Sequence, residues 1–426
     1  MGIEEIYQLF KESAGVSTDT RNIKTDSLFF ALKGDNFNGN NFAIKALEQG
    51  ALFAIIDEEL EINSAKLIRV ENVLVALQDL ATYHRQQFDI PVIGITGSNG
   101  KTTTKELISV VLGTSKKVHF TKGNFNNHLG VPLTLLEMPT DTEIAVIEMG
   151  ANHLGEIANL CKIAQPNFGI ITNIGKAHLE GFGGIEGVLR AKSELYHYII
   201  TNGETVFINS QDKVLNNMSK RFNNPIKYPA KGDFFTCDFA GANPFVVFRV
   251  DDKSYTTQLI GKYNFDNIAG ALAIGSYFKI PLDKSIKAVC SYVPSNNRSQ
   301  VIKGAFNNII LDAYNANPES VKVAIENFAA MEAPSKSVIL GDMLELGADS
   351  RKEHEALGKL VSSKGFNAIF FCGKEIRSAV PKCLGSLYFS TKEELAAYLT
   401  ENPVKDSSVL IKASRGIGLE TLVDKL

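Results

Sequence analysis

Short apolar segments alternate with longer amphipathic ones through most of the chain. The apolar segments are rich in Val and Ile, which is typical of buried strands, and the amphipathic segments carry apolar residues at helical spacing. In the middle of the chain we predict strands over residues 91–96, 144–148, 168–173 and 205–208. The helices predicted there span residues 102–112, 153–163, 185–200 and 265–278. Strands that alternate with helices indicate a parallel sheet covered on both faces.

The same alternation continues on either side of this middle block. Before it, the pattern predicts strands over residues 27–32 and 51–56 and helices over 42–49 and 73–88. After it, the predicted strands are 308–311, 337–340, 368–371 and 408–411, and the predicted helices are 320–331, 352–362 and 392–399. Residues 234–259 differ, because polar and apolar residues alternate there around turns at 241–244 and 251–252. That segment predicts an antiparallel insert.

Two interruptions divide the pattern into three α/β domains. Pro91 follows the last helix of the first block, and a polar linker, Ser295-Asn296-Asn297, follows the middle block. We therefore expect domains at residues 1–87, 88–297 and 298–426. The length of 426 residues agrees with this division, since ~150 residues per domain predicts about three.

Composition excludes several classes of protein. Apolar residues make up 44% and charged residues 21%, which rules out wholesale disorder. The net charge of −3 argues against a nucleic-acid or membrane-surface binder, because such binders need a basic field. We find no secretory signal pattern, and no apolar run approaches the ~20 residues of a membrane-spanning helix. The five cysteines are scattered without a C-x-x-C pair, so we expect free thiols and a cytoplasmic location.

A glycine-rich segment follows the first strand of the middle block and opens a helix. Its residues are Gly97, Ser98, Asn99, Gly100, Lys101, Thr102 and Thr103. Glycines let backbone N–H groups approach phosphate oxygens, the lysine can neutralise the β- and γ-phosphates, and a threonine hydroxyl can bind Mg²⁺. The spacing is a shorter G-x-x-G-K-T than the usual G-x4-G-K-[ST]. The segment predicts a nucleotide-phosphate site, and the alternative is a glycine-rich turn at a helix start.

Other candidate side chains stand near the ends of predicted strands. Glu148 ends the second strand of the middle block, where it is either a Mg²⁺ ligand or a solvated strand end. His178 follows the next strand and has a structural histidine as its alternative. Lys192 lies on a predicted helix, where a surface lysine is the alternative.

Two polar clusters in the last block also follow strands, where open α/β sheets bind ligands. The first contains Asp312, Asn315 and Asn317, and the second contains Lys412, Ser414 and Arg415. A helix start is the alternative for the first cluster, and a solvated basic loop is the alternative for the second.

Taken in chain order, these residues resemble those of the Mur ligase family, and the resemblance covers essentially the whole chain. Residues 18–21 resemble the family's UDP-binding segment, and residues 123–132 resemble its substrate loop. The residues carried over from these two segments are Thr18, Asp19, Thr20, Arg21, Asn126 and Asn127. Asn267 fits the stretch where the family places an asparagine near adenine. Arg298 matches an arginine that reaches ATP from a domain junction.

The resemblance implies metal ligands as well. Glu148, His178 and Lys192 match the family's Mg²⁺-binding glutamate, its Mg²⁺-binding histidine and the lysine that the family carbamylates. With Thr102, they would hold two Mg²⁺ ions. The implied catalytic residues are Lys101, Glu148, His178 and Lys192. Asp312 would join Arg298 and the glycine-rich segment in binding ATP.

Residues 314–318 resemble the subgroup that joins D-alanyl-D-alanine to UDP-N-acetylmuramoyl-tripeptide. The resemblance implies an ADP-forming ligase that works through an acyl phosphate in the last cytoplasmic peptide-addition step of peptidoglycan precursor synthesis. It also implies a small α/β N-terminal domain, a central P-loop ATPase-like domain and a C-terminal Rossmann-like domain, in a monomer. Asn315, Asn317, Lys412, Ser414 and Arg415 would bind the peptide substrates. Whether the tripeptide carries lysine or diaminopimelate stays open.

Two other functions remain as alternatives. One is a sister ligase that adds a diamino acid or extends folate with glutamate. The N-terminal UDP segment argues against the folate reaction, and the Asn-Ala-Asn-Pro sequence at residues 315–318 argues against the diamino acid. The other is a nucleotide-binding module without catalysis, which the intact Lys101, Glu148, His178 and Lys192 argue against.

Overall fold

A computed structural model describes residues 1–62, 64–202, 205–295, 297–304 and 306–426. Over these residues the chain forms three α/β domains in series, each built around its own parallel or largely parallel sheet. Asn296 of the predicted linker lies outside the described residues. No helix in the described part of the chain is long and apolar enough to cross a membrane.

The N-terminal domain holds a small parallel sheet of order β1-β2-β5-β6. Its elements are α1 (Ile3–Glu12), β1 (Val16–Ser17), β2 (Leu28–Phe30), β3 (Lys33–Gly34), β4 (Phe37–Asn38), α2 (Ala43–Glu48), β5 (Phe53–Ile56), β6 (Leu67–Arg69) and α3 (Val73–Gln86). The sequence pattern did not predict α1, which buries Ile6, Tyr7 and Phe10. The long helix α3 also ties this domain to the next, because the buried guanidinium of Arg85 donates to the carbonyl of Ala164 at 3.1 Å.

The central domain confirms the predicted parallel sheet, with six strands in the order β12-β11-β10-β7-β9-β8. Its elements are β7 (Val92–Thr96), α4 (Lys101–Leu112), β8 (Val118–Phe120), α5 (Gly130–Leu136), β9 (Ile144–Glu148), α6 (Glu156–Ala164), β10 (Phe168–Ile171), α7 (Leu179–Phe182), α8 (Ile185–Asn202), β11 (Thr205–Asn209), α9 (Lys213–Ser219), β12 (Ile226–Tyr228), β13 (Asp238–Ala242), β14 (Phe245–Val250), β15 (Lys253–Ile260), α10 (Asn264–Tyr277) and α11 (Leu282–Ser291).

Helices cover both faces of the central sheet. Side chains along one strand alternate between two cores: Val92 packs with α5, α6 and α8, whereas Ile93 and Ile95 pack with α4 and α10. This alternation follows from the two-residue period of a strand, and it explains why the strands read as continuous apolar runs. The predicted antiparallel insert is present as β13-β14-β15.

The C-terminal domain has a six-stranded sheet of order β16-β17-β21-β18-β19-β20. Its elements are β16 (Gln300–Lys303), β17 (Asn308–Asp312), α12 (Pro318–Ala330), β18 (Lys336–Gly341), α13 (Ser350–Ser362), β19 (Ala368–Cys372), β20 (Leu387–Phe389), α14 (Lys392–Glu401) and β21 (Ser408–Lys412). The edge strand β16 pairs antiparallel with β17, which the pattern did not predict. The carboxyl ends of the central strands β17 and β21 lie side by side, because Asp312 is in register with Lys412.

Candidate active site

The glycine-rich segment forms the loop between β7 and the start of α4. Gly97 and Gly100 have φ angles of 148° and 79°, which favour glycine. A Cβ on Gly97 would lie 2.0 Å from Thr172 Oγ1, and one on Gly100 would lie 2.7 Å from Asn267 Oδ1. The backbone N–H of Asn99 donates to Asn173 Oδ1 at 2.9 Å, which fixes the loop against the end of β10. The geometry is that of a phosphate-binding loop at a helix N-terminus.

Lys101 begins α4 and folds back over its own loop. Its ammonium donates to the carbonyls of Gly97 at 2.6 Å and Ser98 at 3.3 Å. The pKa of Lys101 is lowered to about 8: burial lowers it most, the carboxylate of Glu148 opposes this shift, and the positive charge of Arg298 adds to it. A phosphate group at this place would supply the negative charge that the lysine lacks.

Glu148 ends β9 beside Thr102. Its Oε1 accepts hydrogen bonds from Thr102 Oγ1 at 3.1 Å and from Asn126 Nδ2 at 2.8 Å. The residue is only 1% exposed, and Oε2 is buried with no hydrogen-bond partner. An ionised oxygen left unpaired in the interior is costly, so this carboxylate is suited to a cation.

His178 lies at the start of α7 and Lys192 on α8, and α8 packs on the face of the central sheet opposite to α4. His178 precedes α7 and pairs through Nδ1 with the carboxylate of Glu345. Lys192 is buried on α8, where its ammonium donates to the carbonyl of Ala151 at 3.4 Å and lies 5.1 Å from the centroid of the Phe182 ring. Burial, reinforced by the charge of Lys101, lowers the pKa of Lys192 to about 7. Lys192 is therefore a buried lysine, and its surface-lysine alternative is wrong.

The C-terminal domain brings its own strand ends to the same place. Asp312 Oδ2 and the buried Lys412 Nζ form an ion pair at 2.7 Å, and Lys412 also donates to the carbonyl of Asn315 at 3.1 Å. The guanidinium of Arg298 stacks 3.8 Å from the centroid of the Tyr314 ring, and its Nε is buried with no hydrogen-bond partner. Asn317 Nδ2 reaches across to the phosphate loop and donates to Asn99 Oδ1 at 2.7 Å.

A cavity of about 1120 Å³ joins these groups at the junction of the central and C-terminal domains. The predicted residues that line it are Ser98, Asn99, Gly100, Lys101, Thr103, Asn126, Asn127, Glu148, His178, Asn267, Arg298, Asp312, Asn315, Asn317 and Lys412. Asn267 is held there by Thr104, whose hydroxyl donates to Asn267 Oδ1 at 2.9 Å. Candidate residues predicted from the middle block and from the last block of the chain therefore meet at one site.

Other predicted site residues do not line this cavity. Gly97, Thr102 and Lys192 lie directly behind its wall, bonded to lining residues or their neighbours. Ser414 is buried, and its hydroxyl accepts from the N–H of Leu344 at 3.0 Å, whereas Arg415 is exposed 5.5 Å from the Tyr314 ring centroid.

The UDP segment, Thr18, Asp19, Thr20 and Arg21, lies in the N-terminal domain away from the cavity lining. Asp19 caps the short 3-10 helix Thr20–Asn22 by accepting from the N–H of Arg21 at 2.9 Å. The side chain of Arg21 returns to the same carboxylate, with Nη2 and Oδ2 2.6 Å apart, and this hydrogen bonding lowers the pKa of Asp19 to about 2. The segment is half-buried apart from the exposed Arg21, and it is locally ordered by its own ion pair.

Several residues of the site were not among the predicted site residues. Tyr263, Ser299, Tyr314 and Glu319 line the cavity, and Tyr263 and Ser299 join their hydroxyls at 2.5 Å. Tyr314 had a signal, because it stands within the polar cluster after β17. Glu319 stands in the first turn of α12, where an acidic residue is usual for helix stability alone.

The polar atoms around Glu148 fit a magnesium ion. The unpaired Oε2 of Glu148 and the hydroxyl of Thr102 are hard oxygen donors beside the phosphate loop. Among the described residues no three His, Cys, Asp or Glu side chains form a ready-made metal cage. Mg²⁺ commonly binds through one or two protein ligands plus substrate phosphates and water, so this donor set suits it.

A phosphate loop with a buried carboxylate behind it, placed at the junction of α/β domains, defines a multidomain nucleotide-binding protein. Three family models match in chain order. The Mur ligase family catalytic domain matches residues 12–85, the Mur ligase middle domain matches 95–275, and the Mur ligase glutamate ligase domain matches 297–415. The chain belongs to the Mur ligase family.

Relatives similar over the full length share one name. The UDP-N-acetylmuramoyl-tripeptide--D-alanyl-D-alanine ligase of Bacillus subtilis is 36% identical over 424 residues, covering 97% of this chain and 93% of its own. A MurF crystal structure from Acinetobacter baumannii superimposes with a TM-score of 0.86 at 30% identity, covering 97% and 96% of the two chains. The MurF ligase of Thermotoga maritima, solved in complex with ADP, gives 0.86 at 28% identity, covering 98% of each chain.

Proposed function

We propose that this protein uses ATP to join D-alanyl-D-alanine to UDP-N-acetylmuramoyl-tripeptide, forming ADP and phosphate. The relatives that match nearly the whole chain carry the name of that ligase, and one of them binds ADP. The observation that carries the proposal is the cavity of about 1120 Å³ between the central and C-terminal domains. It places the phosphate loop opposite the polar strand ends of the C-terminal domain, so a nucleotide and a carboxylate substrate can meet there.

The reaction needs an activated carboxylate, because a free carboxylate is a poor electrophile. Its oxygen attacks the γ-phosphorus of ATP, the bond from phosphorus to the β,γ-bridging oxygen breaks, and ADP leaves. The neutral amine of D-alanyl-D-alanine then attacks the acyl carbon, the carbon–oxygen bond to phosphate breaks, and the nitrogen loses a proton. Both steps are accelerated mainly by positioning and by neutralisation of phosphate charge.

The central domain supplies most of that neutralisation. The loop from Gly97 to Thr103 would cradle the phosphates, with Lys101 on the β- and γ-phosphates. From the C-terminal side, Arg298 has an unpaired buried Nε, and Asp312 is fixed by Lys412. We assign Arg298 to the nucleotide phosphates, Asp312 to the nucleotide site and Asn267, beside the loop, to the adenine side.

Magnesium would be held by Thr102 and Glu148 at one place and by His178 and Lys192 at a second. When bound, Mg²⁺ supplies charge stabilisation to the phosphoryl oxygens. An ammonium cannot be a metal ligand, so Lys192 would serve only as a carbamate, whose oxygens carry a negative charge. A pKa of about 7 favours that modification, because carbon dioxide reacts with a neutral amine.

The remaining parts divide the substrates among the domains. We assign the UDP end to residues 1–87 through Thr18, Asp19, Thr20 and Arg21, and the sugar-peptide to Asn126 and Asn127 beside Glu148. Residues 88–297 would carry ATP and metal, and residues 298–426 would bring D-alanyl-D-alanine. Asn315, Asn317, Lys412 and Arg415 would bind peptide carboxylates or amides, with Ser414 supporting them from within. We propose that the reaction takes place in the cytoplasm and that the chain acts as a monomer.

The test is phosphate release by the purified chain with ATP and Mg²⁺. We expect release only when UDP-N-acetylmuramoyl-tripeptide and D-alanyl-D-alanine are both present. The rates of release with the lysine tripeptide and with the diaminopimelate tripeptide are measured separately and compared. Release with a diamino acid and a dipeptide precursor would assign the chain to a sister ligase. Nucleotide binding without release under any of these conditions would make it a non-catalytic module.

A further inference from the structure

A segment of the C-terminal domain lies directly on the loop that carries His178. Glu345 pairs with His178 Nδ1, and Glu353 pairs with Lys176, with 2.9 Å between Glu353 Oε1 and Lys176 Nζ. Gly347 sits so close that a Cβ there would lie 3.2 Å from Glu180 Cγ. Two carboxylates of one domain thus meet two cationic or basic side chains of the other.

Both members of the Glu345–His178 pair hold an unusual backbone conformation. The φ angles are 63° for Glu345 and 49° for His178, in the left-handed region that non-glycine residues seldom adopt. Such residues cost free energy and persist where the surrounding structure fixes them, which occurs most often at functional sites. Two of them facing each other across a domain junction point to a specific contact.

The loop that presents Glu345 is anchored from inside the C-terminal domain. The N–H of Leu344 donates to Ser414 Oγ at 3.0 Å, and the N–H of Met343 donates to Nε2 of the fully buried His354 at 3.1 Å. The carboxylate itself does not contribute to the domain core, because the side chain is 55% exposed. Ser414 therefore supports Glu345 indirectly, through its hydrogen bond with the backbone of Leu344.

An imidazole has two nitrogens, and the partner of one decides what the other can do. A carboxylate beside Nδ1 favours the tautomer with the proton on that nitrogen and fixes the ring orientation. With Nδ1 occupied by Glu345, Nε2 is the nitrogen left for a ligand in the cavity that His178 lines.

We propose that Glu345 is a positioning residue that orients His178 as a metal ligand. This inference rests on the proposed function, in which His178 holds Mg²⁺. Because the two residues belong to different domains, the metal site is complete only while the C-terminal domain is docked on the central domain. Ligation would then be confined to the docked state.

The test measures Mn²⁺ binding by electron paramagnetic resonance on the full chain with saturating ADP. His178→Ala identifies the Mn²⁺ site that the imidazole serves. At that site we expect Glu345→Ala to weaken Mn²⁺ affinity about 10-fold or more, and Glu345→Gln to keep part of it, because an amide oxygen can still lie against Nδ1. Glu353→Gln is the matched control: it removes a carboxylate from the same junction but leaves the imidazole untouched, so affinity should stay at the wild-type value.

Wild-type Mn²⁺ affinity in Glu345→Ala would overturn the inference, as would equal losses in Glu345→Ala and Glu353→Gln, which would indicate a general docking contact. If His178→Ala still binds Mn²⁺ at every site that the wild-type chain has, the inference is also overturned. Phosphate release by the wild-type chain is measured separately. If the wild-type chain ligates normally and Glu345→Ala keeps full Mn²⁺ affinity, the proposed function stands and only this inference is wrong.

Discussion

At the scale of single residues, the site is held in a charge arrangement that is unfavourable until ligands arrive. Lys101 is half-buried and Lys192 is buried, and their pKa values are lowered to about 8 and about 7. Glu148 keeps one carboxylate oxygen without a partner. Each of these groups lacks an opposite charge that a phosphate, a carbamate or a cation would provide, and residues retained at such a cost are usually functional.

The first prediction concerns Glu148→Gln. The amide keeps the shape and the acceptor that Thr102 and Asn126 use, but it removes the negative charge that Mg²⁺ needs. We expect phosphate release to fall at least about 100-fold. The free energy of unfolding in metal-free buffer should stay equal or rise, since an unpaired buried charge is removed. Denaturant titration and the phosphate assay measure the two effects. Exposed Glu137→Gln is the control, and a Glu148→Gln enzyme with normal turnover would contradict the metal role.

The second prediction concerns Lys192→Ala. Nearly all ligation should be lost, because alanine cannot carry a carbamate. A short-chain carboxylate such as acetate should restore part of the phosphate release by placing oxygen ligands in the vacated space. Arg190→Ala, on the exposed side of the same helix, should retain activity. Near-normal ligation by Lys192→Ala would exclude the carbamate.

At the scale of elements, parallel strands determine where the chemistry lies. The loop after β7, Glu148 at the end of β9 and the Asp312–Lys412 pair at the ends of β17 and β21 all lie at carboxyl ends of strands. Side chains far apart in sequence meet because neighbouring parallel strands end at the same edge. A change in the backbone of one connecting loop should therefore affect ligand binding more than folding.

Gly97→Ala tests this expectation. With φ at 148°, the added Cβ would lie 2.0 Å from Thr172 Oγ1, so the loop must move away from β10. We expect ADP affinity, measured by isothermal titration calorimetry, to fall at least about 10-fold through displaced backbone donors. Gly34→Ala is the control, because a Cβ there meets no described atom within 4 Å. Equal ADP affinities in the two variants would refute the assigned loop geometry.

The sequence predicted elements well where their signals are local. The strand at 144–148 was predicted at its observed bounds, and the insert was predicted from alternation and turns. The sequence pattern did not predict β16, an antiparallel edge strand whose pairing depends on the rest of the sheet. It also did not predict α1, whose apolar face is explained only by the core that it joins. For the site, glycine spacing and strand ends located the phosphate loop and the polar clusters. The Glu345–His178 contact had no local signal, because it depends on how two domains meet.

At the scale of the whole molecule, each domain buries one histidine in its core. His84 lies on α3, His119 on β8 and His354 on α13, and each is at most 8% exposed. Burial lowers the pKa of all three. His354 accepts from the N–H of Met343, so its Nε2 must be unprotonated in the folded state. Acid should therefore weaken all three domains together.

The expected direction follows from proton uptake. The folded-state pKa of each histidine is below its unfolded value of ~6.5, so the unfolded chain binds more protons as the pH falls below that value. The contribution of these histidines to the free energy of unfolding should be constant above pH ~6.5. Below that pH the free energy of unfolding should decline by up to about 1.4 kcal/mol per pH unit for each histidine. The chain has 12 tyrosines and no tryptophan, so tyrosine fluorescence in urea at pH 7.5 and 5.5 can follow unfolding. His119→Gln, whose amide can still donate to the carbonyl of Thr134 that Nε2 contacts at 2.7 Å, should reduce the acid sensitivity, whereas exposed His197→Gln should leave it unchanged. An acid response identical in His119→Gln and the wild-type chain would mean that this buried histidine does not couple folding to protonation.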